Sequence, residues 1–138
     1  MNKCFIYFVF LLSSIAVALA CLCARETRLQ TYCRNGTNVV VVNVGNYTEK
    51  GYEYVYDVTV EKVIKSTEDV SGIKKLVSLK YQAMCGVDDL SNQKLLITAQ
   101  VAKGSFSVII CDFVRRWNNL TDEQKAEYSS FKQQDCVV

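Results

Sequence analysis

The chain has 138 residues, half of them hydrophobic, with 16 basic and 14 acidic side chains and a formal net charge of +2. A single domain's length, this apolar content and this balanced charge exclude a disordered chain, and they argue against a dedicated nucleic-acid binder. Histidine and proline are both absent and seven cysteines stand out, so every His-based triad and His-rich zinc site is excluded.

Lys3 is the only charge before Arg25. Residues 5–12 are an unbroken apolar run, Ser13 and Ser14 follow, and residues 15–20 are apolar again, ending in the small-x-small triplet Ala18-Leu19-Ala20. A short positive start, an apolar middle and this exit predict a secretory signal over 1–20, cleaved before Cys21. A membrane anchor needs about 20 apolar residues and usually charged flanks, and the serine pair suits it poorly. A lipoprotein signal normally carries Leu three places before the cysteine, where this chain has Ala18.

Removing 20 of the 138 residues leaves 118, with a net charge of +1 once Lys3 is lost. Six cysteines remain: Cys21, Cys23, Cys33, Cys85, Cys111 and Cys136. An even count in a small secreted chain predicts a disulfide framework, although spacing does not choose among the pairings. No Cys-x-x-Cys pair exists to suggest structural zinc. The triplets at Asn35, Asn46 and Asn119 are candidate N-glycosylation sites and agree with an extracellular location.

The mature chain then reads in order. Residues 26–33 suit a short helix. The β-branched run 39–44, interrupted by Asn43, predicts a buried strand, with Gly45-Asn46 offering a turn. Tyr52, Tyr54, Tyr56, Val58 and Val60 alternate with mostly polar residues, a period of two that predicts a long half-buried strand. Segments 76–81, 95–101 and 106–111 are three further strands, with Lys103-Gly104 as a tight hairpin between the last two. Thr121 followed three places later by Gln124 is a capping-box spacing, and Asp122 and Glu123 suit the positive end of a helix dipole. Ala126, Tyr128 and Phe131 continue that helix towards Cys136. Five strands and a terminal helix predict a small barrel of the oligonucleotide/oligosaccharide-binding (OB) shape, or a sandwich. No repeat, low-complexity tract or linker divides residues 21–136, and 137–138 form a short tail.

Little in the chain suits catalysis. A serine or cysteine nucleophile wants a positioned base, usually His. Asp88-Asp89 and Asp122-Glu123 read as a loop and a helix start rather than as a glycosidase pair, and Arg115-Arg116 as a solvated loop. The informative feature is Cys21-Leu22-Cys23 at the new N-terminus. Two early cysteines staple a chain end, which small secreted domains often need. They also make the terminus itself a candidate functional group. An α-amino group titrates near about 7.7, so part of it is neutral at physiological pH. That amine and the carbonyl oxygen of the same residue can close a five-membered chelate on a metal. A catalytic zinc with three protein ligands keeps one position for water, and a rigid terminus could displace it. Disulfides at the first and third residues would reduce the ordering cost of binding.

Several segments together carry a family resemblance. They are Cys21-Leu22-Cys23 after the signal, Cys33 ten residues on, Ala83-Met84-Cys85-Gly86-Val87, Leu95-Leu96-Ile97-Thr98-Ala99 and Ile110-Cys111-Asp112-Phe113. Trp117, Leu120-Thr121 with Gln124, and Cys136 complete the set. On these the mature chain resembles the inhibitory N-terminal domain of the tissue inhibitors of metalloproteinases, within the netrin-like superfamily. The resemblance implies a mainly-β fold, a five-stranded OB-like Greek-key barrel with flanking helices. It implies disulfides Cys21–Cys85, Cys23–Cys111 and Cys33–Cys136. It also implies a monomeric inhibitor of zinc metalloendopeptidases, of the matrix metalloproteinase class, that is not an enzyme and has no cofactor of its own. The Cys21 amine and carbonyl would chelate the zinc of the partner protease, while the Cys21 sulfur is locked in its disulfide. Leu22 would enter the primed specificity pocket, flanked by Cys23 and Ala24. Gln82, Ala83, Met84 and Cys85 would form the edge on the unprimed side. Neither nucleic acid nor membrane is an implied partner.

The chain departs from the family in several places. Leu22 stands where members usually carry Thr or Ser, a change expected to shift selectivity. Arg25 stands where the family has proline, losing stiffness and adding a charge at the rim. Val39-Val40-Val41-Val42-Asn43 replaces the familiar Val-Ile-Arg-Ala-Lys, and the short connection to the Tyr52 strand predicts no long projecting loop. Most vertebrate members add a second six-cysteine domain. This chain ends two residues after Cys136, like short invertebrate members, so partners bound through that domain are not expected. The alternative is a non-inhibitory netrin-like binding or signalling module. Such modules usually do not begin at the Cys-x-Cys, so the free terminus discriminates between the two.

Overall fold

A run of valines without alternation needs apolar surroundings on both faces, and the first strand has them. In the computed structural model, which describes residues 21–136 and Lys3, β1 spans Asn38–Lys50. The expected signal over 1–20 (Lys3 apart) and the tail 137–138 lie outside the described residues. Val40, Val42 and Val44 point into a core shared with Tyr56, Leu76, Leu95, Ile97 and Phe106. Val39 and Val41 point the opposite way, against Tyr32 and Leu96.

Six strands form one sheet: β1, β2 (Glu53–Lys65), β3 (Lys75–Leu79), β4 (Gln93–Ala102), β5 (Ser105–Ser107) and β6 (Val114–Arg116). β1 lies antiparallel between β2 and β4, β2 pairs with β3, and β3 runs parallel to β5, which pairs back onto β4. The ring β1-β2-β3-β5-β4 therefore closes, which removes the exposed edges of an open sheet. This is the five-stranded OB-like barrel, rather than a sandwich.

Several boundaries differ from the sequence reading, each for a local reason. Gly45-Asn46 does not turn the chain. It is a bulge inside β1, between the pairs Val44↔Val58 and Tyr47↔Tyr56, so two residues oppose Asp57 alone. The reversal comes at Gly51, φ 59°, followed by Tyr52, which sits in the turn rather than in the strand. The connection is thus short, and Tyr54, Tyr56 and Val58 carry the inward alternation. Lys103-Gly104 does form the tight β4–β5 turn, both residues having positive φ (53° and 76°).

The strand expected over 106–111 stops at Ser107. Residues 108–113 leave the ladder, and the chain rejoins the same edge of β4 as β6, with Val114 opposite Ile97. Arg115 and Arg116 are therefore strand residues and not a loop. The excursion is what carries Cys111 to the N-terminus.

Two helices cover the outer face of β1 and β4. α1 (Arg28–Tyr32) is shorter than the expected 26–33 because Thr27 is its N-cap, forming a capping box with Gln30. α2 (Asp122–Ser129) has the same box between Thr121 and Gln124. It ends at Ser129. A 3-10 turn over Gln133–Cys136 then brings Cys136 to Cys33, Cα–Cα 5.4 Å. Beneath the helices Tyr32 packs edge-on against Phe113 and Phe131, and the Arg28 guanidinium lies over the rings of Tyr32 and Tyr128. Among the described residues no helix is long and apolar enough to cross a membrane.

Candidate functional site

β3 delivers the chain to a tight loop, and the excursion after β5 faces it. The N-terminal segment is tied to both. Cys21 is bonded to Cys85 and Cys23 to Cys111, with Cα–Cα distances of 5.3 and 5.2 Å. The Ile110 N–H donates to the Cys85 carbonyl at 2.9 Å. Residues 21–23, the two disulfides, the Ile110–Cys111 bond and this hydrogen bond thus form a closed ring. The three bridges close sequence separations of 64, 88 and 103 residues. In the chain-entropy model each is worth roughly 4–5 kcal/mol, though overlapping loops are not additive.

The loop after β3 explains the Cys-Gly pair. Gln82–Met84 is a 3-10 turn in which the Met84 and Gly86 N–H groups donate to the Tyr81 carbonyl at 2.9 and 3.0 Å. Cys85 sits in the left-handed region, φ 66°. A Cβ on Gly86 would lie 2.1 Å from the Leu79 carbonyl oxygen, so only glycine fits beside it. The Cys21 Sγ lies 3.4 Å from the Ala83 carbonyl oxygen, which sets the N-terminal segment alongside this turn.

The excursion is held from beneath by Asp112. Its side chain accepts from the Ile109 N–H at 2.8 Å and from the Thr98 hydroxyl at 3.2 Å, and it faces Arg34 at 3.4 Å. Arg34 also donates to the Cys111 carbonyl at 2.6 Å and to Glu26 at 2.8 Å. Burial pushes the Asp112 carboxyl above its ordinary range, against the opposing pull of these hydrogen bonds and of the Arg34 charge.

The surface so organised is apolar. Leu22 is 70% exposed, and Tyr81, Met84, Ile109 and Ile110 are exposed too. Such side chains on one rigid frame are what a protein-docking surface offers. A cleft of about 270 Å³ runs beside them, lined among others by Gln82, Val87, Asp88 and Ile110. Gln82 donates to Asp88 at 3.2 Å, and both line this cleft.

The residues expected to act together are therefore brought together: Cys21, Leu22, Cys23 and Ala24 on one side, Gln82, Ala83, Met84 and Cys85 on the other. The bridges are those that the resemblance implied. Asn35, Asn46 and Asn119 are all exposed, in a turn before β1, in the β1 bulge and in a 3-10 turn before α2. Tyr81, Ile109, Ile110 and the Arg34–Asp112–Thr98 network were missed by sequence reasoning. Ile110 and Asp112, on either side of Cys111, and Thr98 fell within segments that carry the resemblance, but none had been given a role. Among the described residues no cluster of three His, Cys, Asp or Glu is placed to hold a metal.

The family model described as Tissue inhibitor of metalloproteinase matches residues 19–138. No curated protein matches the chain.

Proposed function

The chain belongs to the tissue inhibitor of metalloproteinase family, and from that premise we propose that its own N-terminus blocks the active site of a zinc metalloendopeptidase. Membership supports the general role, inhibition of metalloproteinases rather than catalysis, and members are generally secreted. The finer reading concerns how the chain does it.

After cleavage before Cys21, the freed α-amine and the Cys21 carbonyl oxygen chelate the target's zinc. They take the position that the hydrolytic water holds in a catalytic site with three protein ligands. Nitrogen and oxygen donors suit zinc, and the Cys21 sulfur is committed to Cys85, so that sulfur is not the ligand. The zinc is the protease's, and the inhibitor brings no cofactor. Leu22 enters the primed pocket, and Gln82, Ala83 and Met84 lie along the unprimed side. The target is a protease of the matrix metalloproteinase class, met by a single copy of the inhibitor.

One observation carries this reading: Cys21 and Cys23 are tethered on both sides of an outward-pointing Leu22. A segment already fixed in its binding shape loses little conformational entropy on docking, and the same rigidity resists its use as a substrate. The test is a titration of a matrix metalloproteinase catalytic domain, following peptide hydrolysis. The secreted protein with a verified Cys21 terminus is expected to abolish activity stoichiometrically. A variant with one added alanine before Cys21, or with an acetylated amine, is expected to keep its fold and lose inhibition. Full potency in the extended variant would overturn the chelate. Failure of the native terminus across a protease panel would favour the non-inhibitory binding module.

A further inference from the structure

A disulfide fixes how far apart two chain segments lie, but the rotatable bonds between its Cα atoms leave their relative orientation free. Residues 21–24, the N-terminal strap, therefore need more than two bridges to keep one shape. Among the described residues, Leu22, Cys23, Ala24 and Arg25 make no hydrogen bond to the rest of the protein. The chain is first caught at Glu26, whose carboxylate accepts from the Arg34 Nε at 2.8 Å and from the Thr31 hydroxyl at 3.4 Å.

Arg34 reaches both sides of the Cys23–Cys111 bridge. Each guanidinium nitrogen takes a different partner: Nε the Glu26 carboxylate, Nη2 the Cys111 carbonyl at 2.6 Å and Nη1 the Asp112 carboxylate at 3.4 Å. Asp112 accepts in turn from the Thr98 hydroxyl, which itself accepts from the Phe113 N–H at 2.8 Å. Thr98 lies in β4, so this line of bonds ends on the barrel wall. The base of Arg34 is placed as firmly. Its carbonyl accepts from the Lys65 ammonium and from the Thr37 N–H, both at 3.2 Å, and its neighbour Cys33 is bridged to Cys136. The side chains of Arg34 and Asp112 are 29% and 4% exposed, so salt screens these contacts less than it would a surface pair.

An arginine suits this place better than a lysine would. A guanidinium presents its donors in a rigid planar fork, whereas an ammonium is a point charge on a flexible stem. We propose that Arg34 is a positioning residue for inhibition: by joining Glu26 to Cys111 it fixes the orientation of the strap, and so of Leu22, before the protease is met. This rests on the inhibitory reading above and adds that the two bridges alone do not give the strap its docking shape. The guanidinium bonds to none of the residues placed against the protease. Its effect passes through the order of the strap, because a loosened segment must be ordered again at docking and loses affinity in proportion.

The experiment compares the native protein, secreted with a verified Cys21 terminus, with Arg34→Ala, Arg34→Lys and Lys94→Ala. The last breaks a similarly shielded ion pair, to Glu61, away from the strap. Each is measured for its inhibition constant against a matrix metalloproteinase catalytic domain and for NMR order parameters of the Leu22, Cys23 and Ala24 amides. Arg34→Ala is expected to inhibit about tenfold more weakly, the factor for re-ordering about one backbone residue at docking, with the change mainly in the dissociation rate. Its three order parameters are expected to fall from a rigid value of about 0.85 towards about 0.6. Arg34→Lys, which keeps the charge and lacks the fork, is expected to recover little of either, and Lys94→Ala to match the native protein in both. Native inhibition and native order in Arg34→Ala would overturn the proposal, and so would full recovery by Arg34→Lys or an equal loss in Lys94→Ala. If Arg34→Ala is not secreted, Arg34→Lys decides by the same readouts, native values in it overturning the proposal. A native protein that inhibits no protease would overturn the inhibitory reading, whereas the order parameters decide the clamp by themselves, so the two failures are distinguishable.

Discussion

Leu22→Ala is expected to weaken inhibition about 17-fold while leaving the fold intact. Leu22 is 70% exposed in the free protein and stands between two bridged cysteines, so its side chain contributes little to the core. In the proposed docked state it would pass from water into the protease's pocket. Truncation removes three carbons, each worth about 0.8 kcal/mol when fully buried; scaled to the 70% still to be covered, the loss is about 1.7 kcal/mol, or about 17-fold in affinity. The assay is the inhibition constant against a matrix metalloproteinase catalytic domain, with a thermal unfolding curve beside it. Leu22→Met, which conserves volume, is expected to cost less than about 1.5 kcal/mol. An unchanged inhibition constant in Leu22→Ala would refute the pocket placement. A fallen thermal midpoint would show instead that Leu22 packs within the fold.

Gly86→Ala puts a Cβ 2.1 Å from the Leu79 oxygen and 2.8 Å from its carbonyl carbon. Backbone cannot yield cheaply, so a loss of about 3 kcal/mol or more and a poor secreted yield are expected, measured by denaturant titration; native-like stability would mean that the loop relaxes. Cys33→Ser/Cys136→Ser opens a separation of 103 residues and is expected to cost about 4–5 kcal/mol of stability. It leaves both N-terminal bridges in place, so inhibition well below the melting point is expected to persist; its loss would tie the helices directly to docking. Tyr32 is buried, and that burial pushes its hydroxyl from 10.0 up to about 12. The native state then holds this proton longer than the unfolded chain does. The Tyr32 contribution is full below pH 10 and lost as pH rises towards about 12, about 3 kcal/mol in all. Stability measured across that range is expected to fall less steeply in Tyr32→Phe, and parallel curves would refute the assignment.

Much of the fold was legible because its local signals were unopposed. The two capping boxes needed only the spacing of Thr and Gln. The β2 alternation needed only a period of two, and Lys103-Gly104 only the preference of its turn. Where the sequence reading missed, a longer-range partner had overruled the local preference. Gly45-Asn46 carries a turn composition, yet β2 pairs with β1 both before and after it and stretches it into a bulge. Segment 106–111 reads as strand because it is apolar and β-branched. Asp112, the bridge to Cys23 and the Ile110–Cys85 hydrogen bond pull its second half away from β4.

The candidate site divides along the same line. The sequence by itself marked the candidate residues, the paired cysteines around Leu22 and the Cys-Gly loop, and it displayed the absence of any histidine base. These are properties of composition and spacing, which a linear chain displays. Only the tertiary structure decided that Tyr81, Ile109 and Ile110 stay exposed on the segments bridged to Cys21 and Cys23, and that Arg34 and Asp112 hold the Cys111 segment. It alone set Val55, Val77 and Ser107 in one row across β2, β3 and β5. Exposure and register depend on what covers each face, and the covering residues come from strands and helices far away in the chain.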